Sequence, residues 1–311
     1  MATYLELLEK DYARQIDFNN VKKYHEQGYK GKGVAILNAE GVGNHRNMTS
    51  KVIKCYAPEA TLLESNISAH IKGDKVLYAR ITIYDETLDL EKAIDKYKIK
   101  IINRSFAGSS PKPLLTYFRD IQKRKGVIFF CAAGNNGYEG ITGMWAKDDT
   151  AIAVGALRIL DNCKLELYRY SSRGDELDFV SFLAKGEGTS AASPALAAQT
   201  ALLINKYGDF GQRECVEILK SISIRLGPKT EYGWGLPILP LEDELKIIVG
   251  GTEMIFTDIE QDRWSKPAID RCVAEGLLVG FEDGTFRPTE HVTREQFAQI
   301  LTRILDKIEG R

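Results

Sequence analysis

The sequence predicts an α/β protein with a mostly parallel central sheet, followed by a small and mainly helical C-terminal unit. From residue 34 to residue 154, short apolar segments alternate with longer amphipathic segments. The short segments are apolar throughout, which is typical of strands that helices cover on both faces of a sheet. The alternation stops between residues 236 and 253, and this break separates the C-terminal unit.

The individual elements follow from the local patterns, beginning with a charged N-terminal helix. Strands are expected where the short apolar segments occur, at residues 34–37, 61–63, 100–103, 127–132 and 151–154. Helices are expected where amphipathic segments lie between them, at residues 47–54, 88–97 and 114–125. This strand–helix–strand order predicts parallel pairing with crossover helices.

Proline residues and the pair Gly250 and Gly251 interrupt the chain after residue 236 and indicate a boundary between domains of residues 1–249 and 250–311. The second domain is expected to contain two amphipathic helices around a turn at residues 282–288. Thr293 and Gln296 have the spacing of a capping box at the start of the second helix. An apolar stripe with helical spacing follows, made of Phe297, Ile300, Leu301, Ile304, Leu305 and Ile308.

Composition indicates a soluble globular protein and argues against two classes of partner. Hydrophobic residues make up 44% of the 311 residues, enough to bury one substantial core. Lys and Arg number 42 against 43 Asp and Glu, so the net charge of −1 gives no electrostatic reason to bind nucleic acid or an anionic membrane. No apolar run is long enough to span a bilayer. We therefore expect neither a nucleic-acid partner nor a membrane partner.

The cysteines and the N-terminus both bear on the cellular compartment. The cysteines are odd in number and scattered: Cys55, Cys131, Cys163, Cys215 and Cys272. They lack Cys-x-x-Cys spacing, so we interpret them as buried free thiols in a protein made in a reducing compartment. Acidic residues occupy the N-terminus, where a secretory signal would have basic residues followed by an apolar stretch. We therefore expect no signal peptide, and we expect the protein to be synthesised in the cytoplasm.

The most informative segment for function is residues 188–194, in which Ser190 lies among small residues just before an apolar, alanine-rich run. A serine at a helix N-terminus lies beside unpaired backbone N–H groups and the positive end of the helix dipole, which favour anionic intermediates. An ordinary helix start, with Thr189 or Ser190 as N-cap and Pro194 in the first turn, would have the same pattern. The segment alone therefore does not distinguish a catalytic serine from an ordinary helix start.

A second segment is the strand at 127–132, which continues into small residues and Asn135. A side chain at the C-terminal edge of a parallel strand points into the crevice where open α/β sheets bind ligands. The amide NH2 of Asn135 could donate there to a developing oxyanion. A plain turn would favour the same residues.

With these two segments, five others in the same order resemble the subtilisin-like serine protease family. They are residues 31–37, like the first core strand, 56–60, like the loop after the histidine, 102–108, like the substrate-binding strand, and the later landmarks 170–174 and 232–236. The resemblance implies a subtilisin-like three-layer sandwich.

The resemblance also implies roles for individual residues. Ser190 becomes the nucleophile, and Asn135 with the Ser190 backbone N–H becomes the oxyanion hole. His45 matches the catalytic histidine, because it follows the first strand and precedes residues 56–58 at the expected interval. The other three histidines, His25, His70 and His291, fit structural positions better, His70 in a polar connection.

The resemblance further implies that an extended peptide or protein substrate would pair with two short stretches of backbone. These stretches are Ser105, Phe106, Ala107 and Gly108, and Ala132, Ala133 and Gly134. No cluster of carboxylates has calcium-loop spacing, so neither a metal nor another cofactor is expected.

The sequence departs from the family at two positions close to the reacting groups. Asn38 occupies the position of the triad aspartate, and Arg46 that of the glycine after the histidine. Replacing the triad acid by its amide costs a serine protease about 10⁴-fold in turnover, or roughly 5.5 kcal/mol.

Three explanations are open for Asn38. The chain is a pseudoprotease, or Asn38 is an introduced substitution, or Glu40 supplies the carboxylate from the same side of an extended strand, two residues on. We favour Glu40.

The C-terminal domain resembles a single S-layer homology repeat at residues 256–259, 264, 268–269, 276–277, 280–288 and 292–297. Such repeats usually come in threes and bind anionic, pyruvylated polymers of the bacterial cell wall. Arg294 suits a carboxylate beside a helix N-terminus, and Trp264 and Gly280 could complete a sugar-binding surface. Alternatively, Trp264 is a core residue and Arg294 pairs with a surface acid.

The sequence thus predicts a serine endopeptidase that is tethered or assembled by its repeat. The expected partners of the repeat are a secondary cell-wall polymer or another repeat, and a single small repeat makes a homotrimer a hypothesis. The alternative is a pseudoprotease that serves as a binding or structural module. Because a signal peptide is not expected, a location on the cell surface or a phage particle would follow release from the cell.

Overall fold

The computed structural model describes residues 13–106, 111–137, 140–141, 150–160, 164–182, 188–241, 258–260, 263, 265–266, 268–269, 272, 277–278, 281 and 285–309. The chain forms two compact units, Met1–Val249 and Gly250–Arg311.

Strands and helices are numbered in chain order through both units. The strands are β1 (Ala35–Asn38), β2 (Thr61–Glu64), β3 (Ser68–Lys72), β4 (Lys75–Ile83), β5 (Glu86–Asp89), β6 (Ile99–Arg104), β7 (Ile128–Ala132), β8 (Ile152–Ile159), β9 (Leu165–Leu167), β10 (Phe179–Phe182), β11 (Ser223–Ile224) and β12 (Leu236–Pro237). The helices are α1 (13–18), α2 (Val21–Glu26), α3 (Asn44–Tyr56), α4 (Leu90–Tyr97), α5 (Lys112–Lys125), α6 (Thr189–Tyr207), α7 (Gln212–Ser221), α8 (Lys229–Tyr232) and α9 (Arg294–Glu309).

The central sheet of the first unit has seven strands, and the prediction of a mostly parallel α/β sheet is confirmed. Six strands run parallel in the order β10-β8-β7-β6-β1-β2, and β9 pairs antiparallel with β8. The second strand, β2, lies on one side of β1, and β6 lies on the other. The order of strands therefore reverses between β1 and β6, and the carboxyl ends of these two strands border a crevice.

Helices cover both faces of this sheet because successive strand residues point to opposite sides. Ile36 and Phe130 belong to the core that contains α3 and α6. Leu37 and Phe129 belong to the opposite core, which contains α4 and α5. The first unit is therefore a three-layer sandwich.

Helix α6 runs through the first of these cores and is buried on nearly all sides. It packs against α3 and against strands β1, β6, β7, β8 and β10. Its alanine residues allow this close approach, because a larger side chain would need space that the strands occupy. The alanine-rich run after Ser190 is therefore explained by packing.

A three-stranded antiparallel sheet, β3-β4-β5, occupies the region for which no strand was predicted. His70, expected in a polar connection, lies in β3 and stacks on Tyr78. The residues of β3 are mostly exposed, so the strand carries no apolar pattern. Alternation is visible only in the second half of β4, where Ala79, Ile81 and Ile83 are buried.

In the second unit, the described residues include helix α9 and part of a small core. Ile259 and Ile269 form this core with Phe286. The predicted capping box is present: the Thr293 N–H donates to Gln296 Oε1 at 2.9 Å, and the Gln296 N–H donates to Thr293 Oγ1 at 3.1 Å. The first predicted helix and Ile308 of the stripe fall largely outside what the structure describes.

Four of the five cysteines lie in the described part of the chain and form no disulfide there, and Cys163 lies outside it. Cys131 and Cys215 are buried, whereas Cys55 and Cys272 are partly exposed. Burial raises the pKa of the Cys215 thiol to about 12. Among the described helices, none combines the length and the apolar character that crossing a bilayer requires.

The packing of α6 predicts the effect of enlarging one of its alanines. We expect Ala198→Leu to lower the free energy of unfolding by about 1–3 kcal/mol, because Ala198 is fully buried and overpacking strains a dense core. Urea denaturation followed by circular dichroism measures this change. The matched control is Ala69→Leu on exposed β3, and equal stability of the two variants would contradict the role of close packing.

Candidate active site

The candidate site lies at the carboxyl ends of β1 and β6, where the strand order reverses. Asn38 is the last residue of β1 and pairs in register with Asn103 of β6. Beyond it, the Ala39 N–H donates to the Asn103 carbonyl at 2.8 Å. The residues that follow each strand, Glu40 and Ser105, therefore come close together.

The chain turns directly after Asn38. The Glu40 N–H donates to the Asn38 carbonyl at 2.9 Å, which closes a tight turn. The expectation that Glu40 continues an extended strand is therefore wrong. Its side chain is nevertheless buried, with 1% of it exposed.

The Glu40 carboxylate contacts two groups. One oxygen, Oε2, lies 3.2 Å from His45 Nδ1. The other, Oε1, accepts a hydrogen bond from the Ser105 backbone N–H. A buried carboxylate held in this way can fix the orientation and tautomer of the imidazole ring.

His45 is the second residue of α3, which begins at Asn44 rather than near residue 47 as predicted. The preceding Gly43 has φ 126°, a conformation that favours glycine. The imidazole has 44% of its surface exposed, so one edge faces Glu40 while the ring remains accessible to a substrate.

Ser190 is the second residue of α6, and its Oγ donates to the Ser105 carbonyl at 3.3 Å. Ser105 therefore contacts Glu40 through its N–H and Ser190 through its C=O. Glu40 and Ser190 thus both contact the backbone of Ser105, and His45 contacts Glu40.

The start of α6 differs from the expected cap. Gly188 is the N-cap, so Thr189 and Ser190 both lie within the first turn. Pro194 is inside the helix, in its second turn, and not in the first turn as predicted. Because proline has no N–H, it cannot donate the helical hydrogen bond to the Ser190 carbonyl.

The side chain of Asn135 is held by hydrogen bonds to its amide oxygen. Its Oδ1 accepts from the backbone N–H and from the hydroxyl of Thr189, each at 3.1 Å. The Asn135 Nδ2 has no hydrogen-bond partner among the described residues, and the side chain is exposed. The amide is thus oriented with its NH2 group available to a ligand.

Gly188 is the residue that allows Asn135 to lie there. A Cβ at position 188 would come within 2.3 Å of Asn135 Oδ1, and Gly188 also has φ 55°. Any larger residue would displace the amide. Gly188 is therefore required for the position of Asn135.

Asn38 is fully buried, and its side-chain hydrogen bonds go to residues other than His45. Its Nδ2 donates to the hydroxyls of Thr49 at 2.7 Å and Ser50 at 2.9 Å. Its Oδ1 accepts from Asn103 Nδ2 at 3.1 Å. Asn103 in turn accepts from the Ser193 hydroxyl at 2.7 Å, so the amide of Asn38 connects β1 with α3, β6 and α6.

Two arginines contact the turn that carries Glu40. Arg46 Nε and Nη2 donate to the Glu40 carbonyl at 3.1 and 2.6 Å. Arg104 Nη1 donates to the Ala39 carbonyl at 2.9 Å. Burial lowers the pKa of Arg104, and the Glu40 charge opposes this shift. Sequence reasoning missed Arg104, although a charged residue at the carboxyl end of a buried strand is a signal for such a position.

The expected substrate-binding residues are only partly described. Ser105 is buried, whereas Phe106 has 51% of its surface exposed beside the site. Ala132 and Ala133 are buried at the end of β7, and Gly134 has φ 107°. Ala107 and Gly108 lie outside the described residues.

The three remaining histidines occupy other environments. His25 Nε2 lies 2.8 Å from the Tyr56 carbonyl in the core layer of α2 and α3. His70 lies on the small antiparallel sheet, and His291 is exposed in the second unit. The described contacts therefore place only His45 beside Glu40.

In the second unit, Arg294 is exposed as the first residue of α9. A shallow groove at this position is lined by Val292, Thr293, Arg294, Phe297, Ala298 and Leu301. Trp264 and Gly280, the other two residues expected to bind a cell-wall polymer, lie outside the described residues.

Comparison with known proteins finds two families on this chain. The model of the S-layer homology domain matches residues 255–298. The outer membrane protein SlpA of Deinococcus radiodurans is 46% identical over 53 residues, which are 17% of this chain and 4% of that protein. The chain thus spans a very small part of the length of this relative.

The model of the subtilase family matches residues 31–235. The subtilisin of Bacillus pumilus is 27% identical over 257 residues, covering 68% of this chain and 91% of that protein. Subtilisin E of Bacillus subtilis is 26% identical over 275 residues, covering 73% of this chain and 71% of that protein.

A solved structure, that of the prenylagaramide maturation protease PagA, has a similar fold. It superposes with a TM-score of 0.50 at 20% identity, covering 70% of this chain and 94% of that one. The fold agrees with the family match, and that match extends over more than half of the residues. The chain therefore belongs to the subtilase family.

Proposed function

We propose that this chain is a serine endopeptidase that cleaves peptide bonds through an acyl-enzyme on Ser190, with His45 as general base and Glu40 as the carboxylate behind it. The observation that carries the proposal is the 3.2 Å contact between Glu40 Oε2 and His45 Nδ1. Because Glu40 is buried and hydrogen-bonded to the Ser105 N–H, it can hold the imidazole without competition from water.

In this mechanism the Ser190 Oγ attacks the scissile carbonyl while its proton passes to Nε2 of His45. The proton on Nδ1 stays in the hydrogen bond to Glu40, which stabilises the imidazolium. The oxyanion accepts hydrogen bonds from Asn135 Nδ2 and from the Ser190 N–H. His45 then protonates the leaving amine, and water hydrolyses the acyl-enzyme by the reverse sequence of proton transfers.

The contacts of Asn38 support Glu40 as the acid. All three hydrogen bonds of the Asn38 amide go to Thr49, Ser50 and Asn103, so this side chain serves a structural role. The alternative function, a pseudoprotease that acts as a binding or structural module, is favoured by the amide at the position of the triad acid. A fluorophosphonate probe separates the two, because only an activated serine reacts at a useful rate.

We also propose that the second unit tethers the protein to an anionic polymer of the cell wall through Arg294. The match to the S-layer homology domain and the exposure of Arg294 at the start of α9 support this. A location on the cell surface or a phage particle belongs to the same proposal. Trimer formation, which would bring three repeats together, is tested by light scattering.

Removing the charge of Glu40 tests its role as the acid. Glu40→Gln is expected to lower kcat by about 10⁴-fold, because an amide cannot stabilise the imidazolium. Peptide hydrolysis and the rate of fluorophosphonate labelling measure the loss, with Ser190→Ala as the unlabelled reference. Glu59→Gln, at an exposed ion pair with Lys30, is the matched control. Activity of Glu40→Gln at the level of this control would eliminate Glu40 as the acid.

Placing a carboxylate at position 38 tests the structural role of Asn38. We expect Asn38→Asp to give no gain in kcat/KM and to lower the free energy of unfolding by about 1–3 kcal/mol, as for an unsatisfied buried group. The hydroxyl protons of Thr49 and Ser50 are already donated to the Arg46 carbonyl and to Glu64, so a carboxylate at position 38 would face two oxygens. Hydrolysis assays and urea denaturation test this, and a large gain in activity would instead indicate an impaired triad.

Removing the Arg294 side chain tests the tether. Arg294→Ala is expected to reduce co-sedimentation of the full chain with purified bacterial cell walls at least tenfold, because a charge-assisted hydrogen bond to the polymer is lost. Arg213→Ala, which removes an exposed arginine of α7 in the first unit, should bind as the unaltered chain does. Equal binding by both variants would exclude Arg294 from the tether.

A further inference from the structure

Helix α3 contacts Glu40 through two consecutive side chains. His45 lies beside the Glu40 carboxylate, and Arg46 donates two hydrogen bonds to the Glu40 backbone carbonyl. Successive residues of a helix project about 100° apart, so the two side chains approach Glu40 from different directions. The base and the proposed acid are thereby connected twice, through a side chain and through the main chain.

The segment that carries Glu40 needs such support. Glu40 is followed by Gly41, Val42 and Gly43, which are all exposed, and 93% of Val42 is accessible to solvent. The two glycines give the backbone of this segment more conformational freedom, and the exposed Val42 side chain does not restrain it by packing. Besides the hydrogen bond that its carboxylate accepts from the Ser105 N–H, Glu40 therefore depends on hydrogen bonds to its own backbone to stay within reach of the imidazole.

The two arginines hold different parts of the turn. Arg104 donates to the Ala39 carbonyl and to the Asn66 side chain, so it connects the turn to the segment after β2. Arg46 instead donates to Glu40 itself, and it belongs to the helix that carries His45. Through Arg46, a movement of α3 that displaces His45 also displaces the Glu40 carbonyl.

Resting on the proposed function, we propose that Arg46 is a positioning residue that keeps the Glu40 carboxylate within hydrogen-bonding distance of His45. Its guanidinium offers Nε and Nη2 to one carbonyl oxygen at the same time, a geometry that lysine cannot reproduce. Arg46 touches none of the reacting atoms in this arrangement, so it acts through Glu40.

The test compares Arg46→Ala and Arg46→Lys with the unaltered chain. We expect Arg46→Ala to lower kcat/KM about 100-fold, as for a misplacement of about 1 Å, and Arg46→Lys to retain an intermediate value. In Arg46→Lys, which keeps the positive charge beside His45, the acid limb of the pH profile of kcat/KM should move to lower pH, because the imidazolium loses its carboxylate neighbour. Arg213→Ala serves as the arginine control and should leave both measurements unchanged.

A double-mutant cycle identifies the route of the effect. If Arg46 acts through Glu40, Arg46→Ala in a Glu40→Gln background should reduce kcat/KM by no more than about twofold. Thermal melting followed by circular dichroism reports whether each variant folds. If Arg46→Ala does not fold, the same comparison is made with Arg46→Lys.

Two results would overturn the inference while leaving the protease intact. One is unchanged kcat/KM and pH profile in Arg46→Ala, and the other is a full additional loss in the Glu40→Gln background with an unmoved acid limb. Failure of the proposed function gives a different result from either of these. The unaltered chain would then neither hydrolyse peptides nor react with the fluorophosphonate probe, and the proposed role of Arg46 would be rejected as well.

Discussion

The hydrogen bonds of the Ser105 backbone are the interactions on which the candidate site depends. Its N–H donates to the Glu40 carboxylate, and its carbonyl accepts from Ser190 Oγ. Ser105 follows the end of β6, and β6 pairs with β1, so the sheet determines where both groups lie. The distance between the Glu40 carboxylate and the Ser190 hydroxyl is therefore set by strand pairing, which is among the most rigid features of the fold.

A second network holds the helices of the site at a fixed distance from this edge. The buried amides of Asn38 and Asn103 connect the hydroxyls of Thr49 and Ser50 on α3 with Ser193 on α6. These helices carry His45 and Ser190. An amide at position 38 both donates and accepts, whereas a carboxylate could only accept. The substitution that made the triad look incomplete therefore fits a structural role, while the proposed acid lies on the turn that follows.

Different parts of the molecule were predictable to different degrees. The parallel sheet and its helices could be predicted because strands buried on both faces leave continuous apolar segments. The sheet β3-β4-β5 was missed because β3 is exposed and has no apolar pattern. The start of α6 was misplaced because glycine, threonine and serine all serve as N-caps. The contact between Arg104 and the Ala39 carbonyl joins residues 65 positions apart, and no local pattern encodes such a pair.

The sequence by itself determined the α/β class, the subtilase resemblance and the candidate residues Ser190, Asn135 and His45, because their segments carry local signals such as small residues and glycine. It left three explanations open for Asn38. Only the tertiary structure decided which carboxylate lies beside His45, since a tight turn after β1 brings the Glu40 side chain back toward α3. The direction of that turn depends on Arg46 of α3, six residues away, and on pairing with β6 and the contact with Arg104. The last two are long-range contacts that the order of residues does not express.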